Sequence, residues 1–433
     1  MPAASWAPLT PAERAVAIEV LTHGPISRTE IARRLDLSAG SLTRLTKPLI
    51  ESGLLIEDPA PVTTAAARQG RPSQPLDIVA DSRYFAGFKI TADAVYGVVT
   101  TLKSDIVADR TVPLHTHDPD QVADLLHTMT VEFTAAFPRL SGIGVGVGGH
   151  VDSRADSRAG DGRVGDGRAG DSRAGDGRAG EVRTGGGRTG EARTGDTPAG
   201  GGRAGTVSSP FLGWRSVPFA DLLEQRTGLP VVVKNDVAAL IESEAWFGAG
   251  RGLDRFAVLT IGAGIGYGLV IGGQLVRTRD GDHGIGPRWI VSQNGPLTPD
   301  GDRGSVVSFL AIPSIRYQVR AATGRDHTYD EILALAAAGD PMPARVLDEA
   351  ARALGTVVAQ IANFAMPQKI LLAGEGVGLV DVAGPAIEEA IRANRDPFAA
   401  PVPLETKISD FNDWARGAAV LAIQILVLGR PEV

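Results

Sequence analysis

The chain has 433 residues, no cysteine, 43 Lys+Arg against 50 Asp+Glu, and a formal net charge of −7. Its length exceeds one ordinary domain and leaves ample chain for a buried core. The lack of thiols excludes disulfides and thiolate-bound zinc and fits a reducing cytoplasm. The acidic balance argues against nucleic-acid contacts over the whole body, but it is uneven. Residues 1–80 carry 8 Lys+Arg and 8 Asp+Glu, so the deficit lies beyond them.

The opening residues, MPAASWAPLTPAER, lack the basic-then-apolar layout of a secretion signal. AERAVAIEVLTHGPIS then predicts a helix stopped at Gly24-Pro25, because proline has no amide hydrogen to donate. A second helix is expected over SRTEIARRLD, where Ser27 and Glu30 have capping-box spacing. Ser38 starts a third helix, AGSLTRLTKPLIESGLL, with Leu42, Leu45 and Leu49 on one face and Ser41, Thr43, Arg44 and Lys47 on the other. Two short helices across a tight turn, the second presenting small polar and basic residues, form a helix-turn-helix layout, with a plain three-helix bundle as the alternative. Residues 54–79 read as a two-stranded wing whose tip holds Arg68 and Arg71, slim and cationic enough for a narrow minor groove.

Residues 156–205 are tandem pentads of the type Asp-x-Arg-x-Gly. They hold 17 glycines, 9 arginines and 8 acids. Period five matches neither helix nor strand, and almost nothing large and apolar is present, so the expected state is a solvated, disordered loop.

Strand-like and helix-like stretches follow beyond residue 81. LPVVVKNDVAALIESEAWFG is a buried strand running into a helix, with Asn235 and Asp236 at the junction, where strand ends point side chains into a cleft. The same pair also suits a helix cap, and both readings stand. The run from Phe256 to Gly273, which contains LTIGAGIGYGLVIGG, is the longest apolar stretch, but its six glycines make it a strand, turn and strand rather than a membrane span. GPLTPDGDRGSVVSF has the glycine frame of a metal-wrapping loop without soft ligands. PMPARVLDEAARALGTVVAQIANFAM and WARGAAVLAIQILVL have helical apolar spacing.

GPISRTEIARRLDLSAGSLTRLTKPLIESGLLIE, followed by GRPSQPLDI, resembles the winged helix-turn-helix and linker of the repressor branch of the ROK family, and the likeness continues to the C-terminus apart from the pentads. The resemblance implies a winged helix-turn-helix at 1–80, then a two-lobed, actin-like (ribonuclease H-like) α/β ATPase-fold domain, with lobes at 81–155 and 206–433 around the insertion. Implied with it are a double-stranded DNA operator, a homodimer or higher oligomer, a sugar or sugar phosphate as candidate effector, no membrane and no cofactor. Ser41, Thr43 and Arg44 would meet base edges, Lys47 and Arg28 phosphates, and Arg68 and Arg71 a minor groove.

Laid on the family's sugar kinases, the sequence has lost much of the chemistry. Their first phosphate hairpin, Asp-x-Gly-x-Thr, falls on Lys89, Thr91 and Asp93. The second keeps Gly262, Gly264 and Gly266, which equally suit a tight hairpin without ligand. Gly374 and Gly376 resemble the adenosine motif. Asp236 would be the vestigial catalytic base, and Gly149 and Asn235 ligand contacts. The sugar-contacting glutamates fall on Ile285 and Val307, and the zinc ligands on Arg288, Thr298, Asp300 and Ser305, so no metal is expected; an Arg288–Asp300 ion pair is expected instead. The leading expectation is a DNA-binding regulator, with a sugar kinase and a ligand-independent constitutive repressor as alternatives.

Overall fold

In the computed structural model, which describes residues 9–57, 74–152, 205–276, 289–408 and 410–430, the chain begins with three short helices. α1 (Pro11–His23) opens on a complete capping box between Thr10 and Glu13. α2 (Arg28–Arg34) is capped by Ser27, whose hydroxyl oxygen accepts from the Glu30 amide at 3.2 Å. The predicted return contact from Glu30 is not made. Hydrogen bonds from Arg33 and Arg34 claim its carboxylate and hold its pKa down to about 2. α3 (Ala39–Glu51) starts at Ser38, and Leu42 and Leu49 bury against Val16, Val20 and Ile31. β1 (Leu55–Glu57) and β2 (Leu76–Ile78) pair antiparallel as the base of a wing. The wing tip, with Arg68 and Arg71, and the pentads from 156 to 204 lie outside the described residues.

The first lobe comprises β3 (Tyr84–Ile90), β4 (Ala94–Thr101), β5 (Ile106–Pro113), α4 (Pro119–Ala136), β6 (Leu140–Val147), β7 (His150–Val151), β8 (Val207–Ser209), β9 (Trp214–Val217), α5 (Phe219–Thr227) and β10 (Val231–Asn235). Its main sheet runs β10-β6-β3-β4-β5, with β3, β6 and β10 parallel. These strands read as unbroken apolar runs because helices cover both faces. β7 and β8, from opposite sides of the pentads, pair antiparallel, Val151 opposite Val207. Strand pairing therefore carries this lobe on to Asn235, past the 155/206 boundary expected from the sequence, because β10 completes the sheet.

The second lobe follows with α6 (Asp236–Phe247), β11 (Arg255–Ile261), β12 (Ile265–Ile271), β13 (Gln274–Leu275), α7 (Val306–Leu310), α8 (Ile312–Thr323), α9 (Tyr329–Ala337), α10 (Pro341–Ala365), β14 (Lys369–Ala373), α11 (Leu379–Ala393) and β15 (Leu404–Lys407). Its sheet runs β13-β12-β11-β14-β15. α10 is the main cover, burying Leu347, Leu354, Val357 and Ile361 with Leu259 and Leu372 of the sheet.

α12 (Phe411–Ala422) then returns to the first lobe and ends in a π-helical turn over Ile423–Val427. It lies on β3 and β6 so closely that a methyl on Gly144 would sit 1.8 Å from the Ala418 carbonyl oxygen, and one on Gly87 2.0 Å from that of Ala415. Those two strand glycines exist for this approach. The helix-turn-helix is not a loose appendage: Val16, Val20 and Leu76 share one apolar cluster with Phe85, Trp246, Leu421 and Leu428 of the lobes. Among the described residues no helix is long and apolar enough to cross a membrane.

Gly144→Ala should therefore cost about 2 kcal/mol or more by forcing α12 off the sheet. Gly40→Ala on α3, where an added methyl meets nothing within 4 Å, should instead stabilise by roughly 0.5–1 kcal/mol. Urea denaturation of both variants checks the contrast; equal effects would remove the close-approach argument.

Candidate functional site

The two lobes enclose a cleft of about 1030 Å³. β3 brings Lys89 to its floor and the start of α6 brings Asp236, both buried, and their side chains form an ion pair. The Trp414 ring lies 5.3 Å from the Lys89 ammonium and adds a cation–π contact. Asp236 is thus fully engaged: one carboxylate oxygen takes the lysine and the other lies 2.8 Å from the Val237 amide. A carboxylate that must take a proton from a substrate hydroxyl needs a free lone pair aimed at it. Here the lysine is bonded to one of the two carboxylate oxygens.

Asn235 acts as the helix cap. Its side-chain oxygen accepts from the amides of Val237 and Ala238, at 2.9 and 3.2 Å, and its amide donates to the Gly149 carbonyl at 2.8 Å. Gly149 has φ +136, and a Cβ there would strike the Ser208 carbonyl oxygen at 2.4 Å, so a backbone turn requires the glycine. Thr91 turns back on its own hairpin, donating to Asp93 at 2.8 Å and accepting from the Ala94 amide at 3.0 Å.

The β11–β12 hairpin holds Gly262, Gly264 and Gly266. A methyl on Gly266 would meet Val237 at 2.5 Å and one on Gly268 would meet Ile241 at 2.2 Å, so those two glycines let α6 pack on the sheet. At the turn itself, the Ala263 amide donates to the Glu375 carboxylate at 3.1 Å, and a methyl on Gly262 would collide with the same carboxylate at 2.5 Å. An internal anion thus sits on the turn. Sequence reasoning missed Glu375 because attention went to its flanking glycines, Gly374 and Gly376; an acid between two close-packed glycines after a strand was the available signal.

In the zinc-like loop, Thr298, Asp300 and Ser305 stand at three of the expected ligand positions. Polar bonds hold the loop: the Asp302 amide donates to the Thr298 hydroxyl at 3.0 Å, Arg303 donates to the Gly295 carbonyl at 3.0 Å, and Ser305 caps α7. Gly304 has φ +67 and leaves no room for a side chain, 1.6 Å from the Ser292 carbonyl oxygen. Ile285 and Arg288 lie outside the described residues, and so does the expected Arg288–Asp300 pair; Val307 lines the cleft as an apolar wall.

On the helix-turn-helix, Thr43, Arg44 and Lys47 are exposed and Ser41 half-buried. Ser41 accepts from the Ser38 hydroxyl at 2.9 Å, and Thr43 donates to the Ala39 carbonyl at 2.9 Å. Arg44 has no ion-pair partner among the described residues, and Lys47 lies 3.8 Å from Glu51. Arg28 is held by Glu57 at 2.6 Å, so it braces α2 against the wing strand.

A family model described as the ROK family matches residues 201–425. The DNA-binding transcriptional repressor Mlc of Escherichia coli is 21% identical over 413 residues, 92% of this chain and 89% of that protein. A glucokinase of Thermotoga maritima is 37% identical over 145 residues, 34% of this chain; the chain spans only 45% of that enzyme's length. Among solved structures, a ROK family transcriptional regulator described as a homologue of the E. coli Mlc protein aligns with a TM-score of 0.71 at 23% identity, covering 96% of both chains.

The ion pair is open to a direct check. Lys89→Met strands a buried carboxylate and should cost about 3–5 kcal/mol, whereas Lys89→Met with Asp236→Leu should recover much of that loss. A double-mutant cycle by urea denaturation measures the coupling, and additive losses would disprove the pairing.

Proposed function

The chain belongs to the ROK family, and on that premise we propose that it is a DNA-binding transcriptional regulator, a repressor, and not a sugar kinase. The observation that carries this reading is the helix-turn-helix with its wing base, whose α3 presents Thr43, Arg44 and Lys47 to solvent. In this layout the second helix enters the major groove. Arg44, free of local acids among the described residues, suits a base edge or a phosphate, and Ser41 and Thr43 lie beside it on the same turn. Lys47 would contribute a phosphate contact, Arg28 being taken up by Glu57, and Arg68 and Arg71 minor-groove contacts.

Two features of the cleft support a role other than catalysis. Lys89 neutralises the carboxylate that would act as base, and Glu375 fills the phosphate turn. The cleft is large enough for a small effector, and its engaged anion favours a ligand without phosphate at that turn, such as a sugar. Such a ligand would act by binding one lobe arrangement more tightly than another. Operators with two half-sites call for a homodimer, and a chromosomal target places the protein in the cytoplasm.

Selection of genomic fragments by the purified protein tests the reading. A discrete set of fragments should be enriched, and Arg44→Ala should weaken binding to the enriched sequence about tenfold or more, the worth of one good base contact. Enrichment no better than random, or ATP-dependent phosphorylation of a hexose, would overturn it.

A further inference from the structure

The geometry points to a neutral glycoside with an aromatic aglycone, rather than a free sugar, as the ligand of the cleft between the lobes, and to Phe211 as the residue that selects it. This rests on the reading of that cleft as an effector site and narrows it. Phe211 stands on the turn between β8 and β9. Its neighbours fix the turn: Leu212 and Trp214 are buried in the first lobe's core, the Trp214 indole donates to the His117 carbonyl at 2.6 Å, and the Ser209 hydroxyl donates to the Gly148 carbonyl at 2.6 Å. Phe211 itself is 47% exposed and lines the cleft.

The ring lies between the lobes. A methyl on Gly148 of the first lobe would stand 3.0 Å from it and 3.5 Å from the Asp236 carboxylate, and one on Gly264, at the β11–β12 turn of the second lobe, would stand 3.5 Å from its far end. Phe211 therefore reaches from beside the buried ion pair to the glycine hairpin, and a ligand entering there meets the ring. Val307, Ile312 and Trp414 add apolar wall to the same cleft. Burial against these side chains, together with ring-on-ring packing against Phe211, favours an aromatic group on the ligand.

Around the ion pair the polar side chains are committed. Asp236 holds Lys89, Asn235 caps α6, and Arg316 donates to the His327 carbonyl at 2.8 Å and to Asp326 at 3.2 Å. A free sugar carries hydroxyls around its whole ring and is selected where unspent donors and acceptors face them. The exposed Asp93 and Glu375 each accept through one carboxylate oxygen, from Thr91 and from the Ala263 amide, which leaves acceptors for the sugar half of a glycoside. Among the described residues the ionised side chains lining the cleft balance, Lys89, Lys234 and Arg316 against Asp93, Asp236 and Glu375, so the site favours a neutral ligand. At about 1030 Å³ the cleft has room for a ring on each side of the glycosidic linkage.

Titration calorimetry of the full chain, without DNA, tests this. Phenyl β-glucoside, phenyl β-galactoside and phenyl β-xyloside are each titrated beside the free sugar. At least one phenyl glycoside should bind, about tenfold more tightly than its free sugar. Phe211→Ala should weaken that binding about tenfold, and Phe211→Leu, which keeps apolar bulk without the ring, should restore only part of it. Phe211 is half exposed on a turn that its neighbours fix, so both variants should melt with the unmutated protein, and a loss of binding then reports a lost contact. The proposal is overturned if no phenyl glycoside binds, if a free sugar binds as tightly as its phenyl glycoside, or if Phe211→Ala binds unchanged. Operator selection is scored apart from this: its failure would leave the binding result intact, and failure here would leave a DNA-binding regulator whose effector is of another class.

Discussion

A buried ion pair, Lys89 with Asp236, organises the centre of this molecule. Neither charge could stay in so dry a place alone, since an uncompensated buried ion costs several kcal/mol. Each therefore fixes the other: the lysine stands on β3 of the first sheet, and the aspartate opens α6, the first element of the second lobe. The pair joins the lobes at the cleft, and the Trp414 ring of α12 lies beside the ammonium.

α6 extends this constraint outward. Its first residue faces the cleft, and its end, at Trp246, packs in the cluster that also contains Val16 and Val20 of the helix-turn-helix. Midway, the fully buried Glu242 accepts from Gln424 at 3.1 Å and from Arg430 at 2.9 Å, so the helix is bonded to the C-terminal segment that touches the same cluster. Glu244 is tied to Lys407 beside β15 at 2.6 Å. Satisfied buried polar ties of this kind rigidify the helix. The start of α6 thus lies at the cleft and its far end packs against the helix-turn-helix. Control requires only that a ligand prefer one placement of that helix.

Much of the architecture could be read from the chain. The helix starts at Ser27 and Ser38, the wing strands and the long α10 have local causes: hydroxyl caps, alternation and a 3.6-residue apolar stripe. The lobe boundary could not be read, because β10 and α12 join the first sheet through contacts distant in sequence, and only glycines at 87 and 144 hint at the helix that lies on them. At the site, Lys89, Asp236 and the glycines beside Glu375 could be singled out one position at a time. Their partners could not: Lys89 meets Asp236 across 147 positions and Glu375 reaches Ala263 across 112, and no local pattern announces such pairs.

The distribution of charge on the helix-turn-helix bears on how it would hold DNA. Among its described residues, Arg28 pairs with Glu57, while Arg33 and Arg34 pair with Glu30. These pairs lower the free positive charge presented to a phosphate backbone, in keeping with the balanced charge of residues 1–80. Binding through few free cations has a shallow dependence on salt and weak non-specific affinity. A single copy with so little free charge on its described surface is a poor ligand for random DNA. Two copies on one operator would multiply their contacts through effective concentration, so a dimer would supply the discrimination that so little free charge cannot.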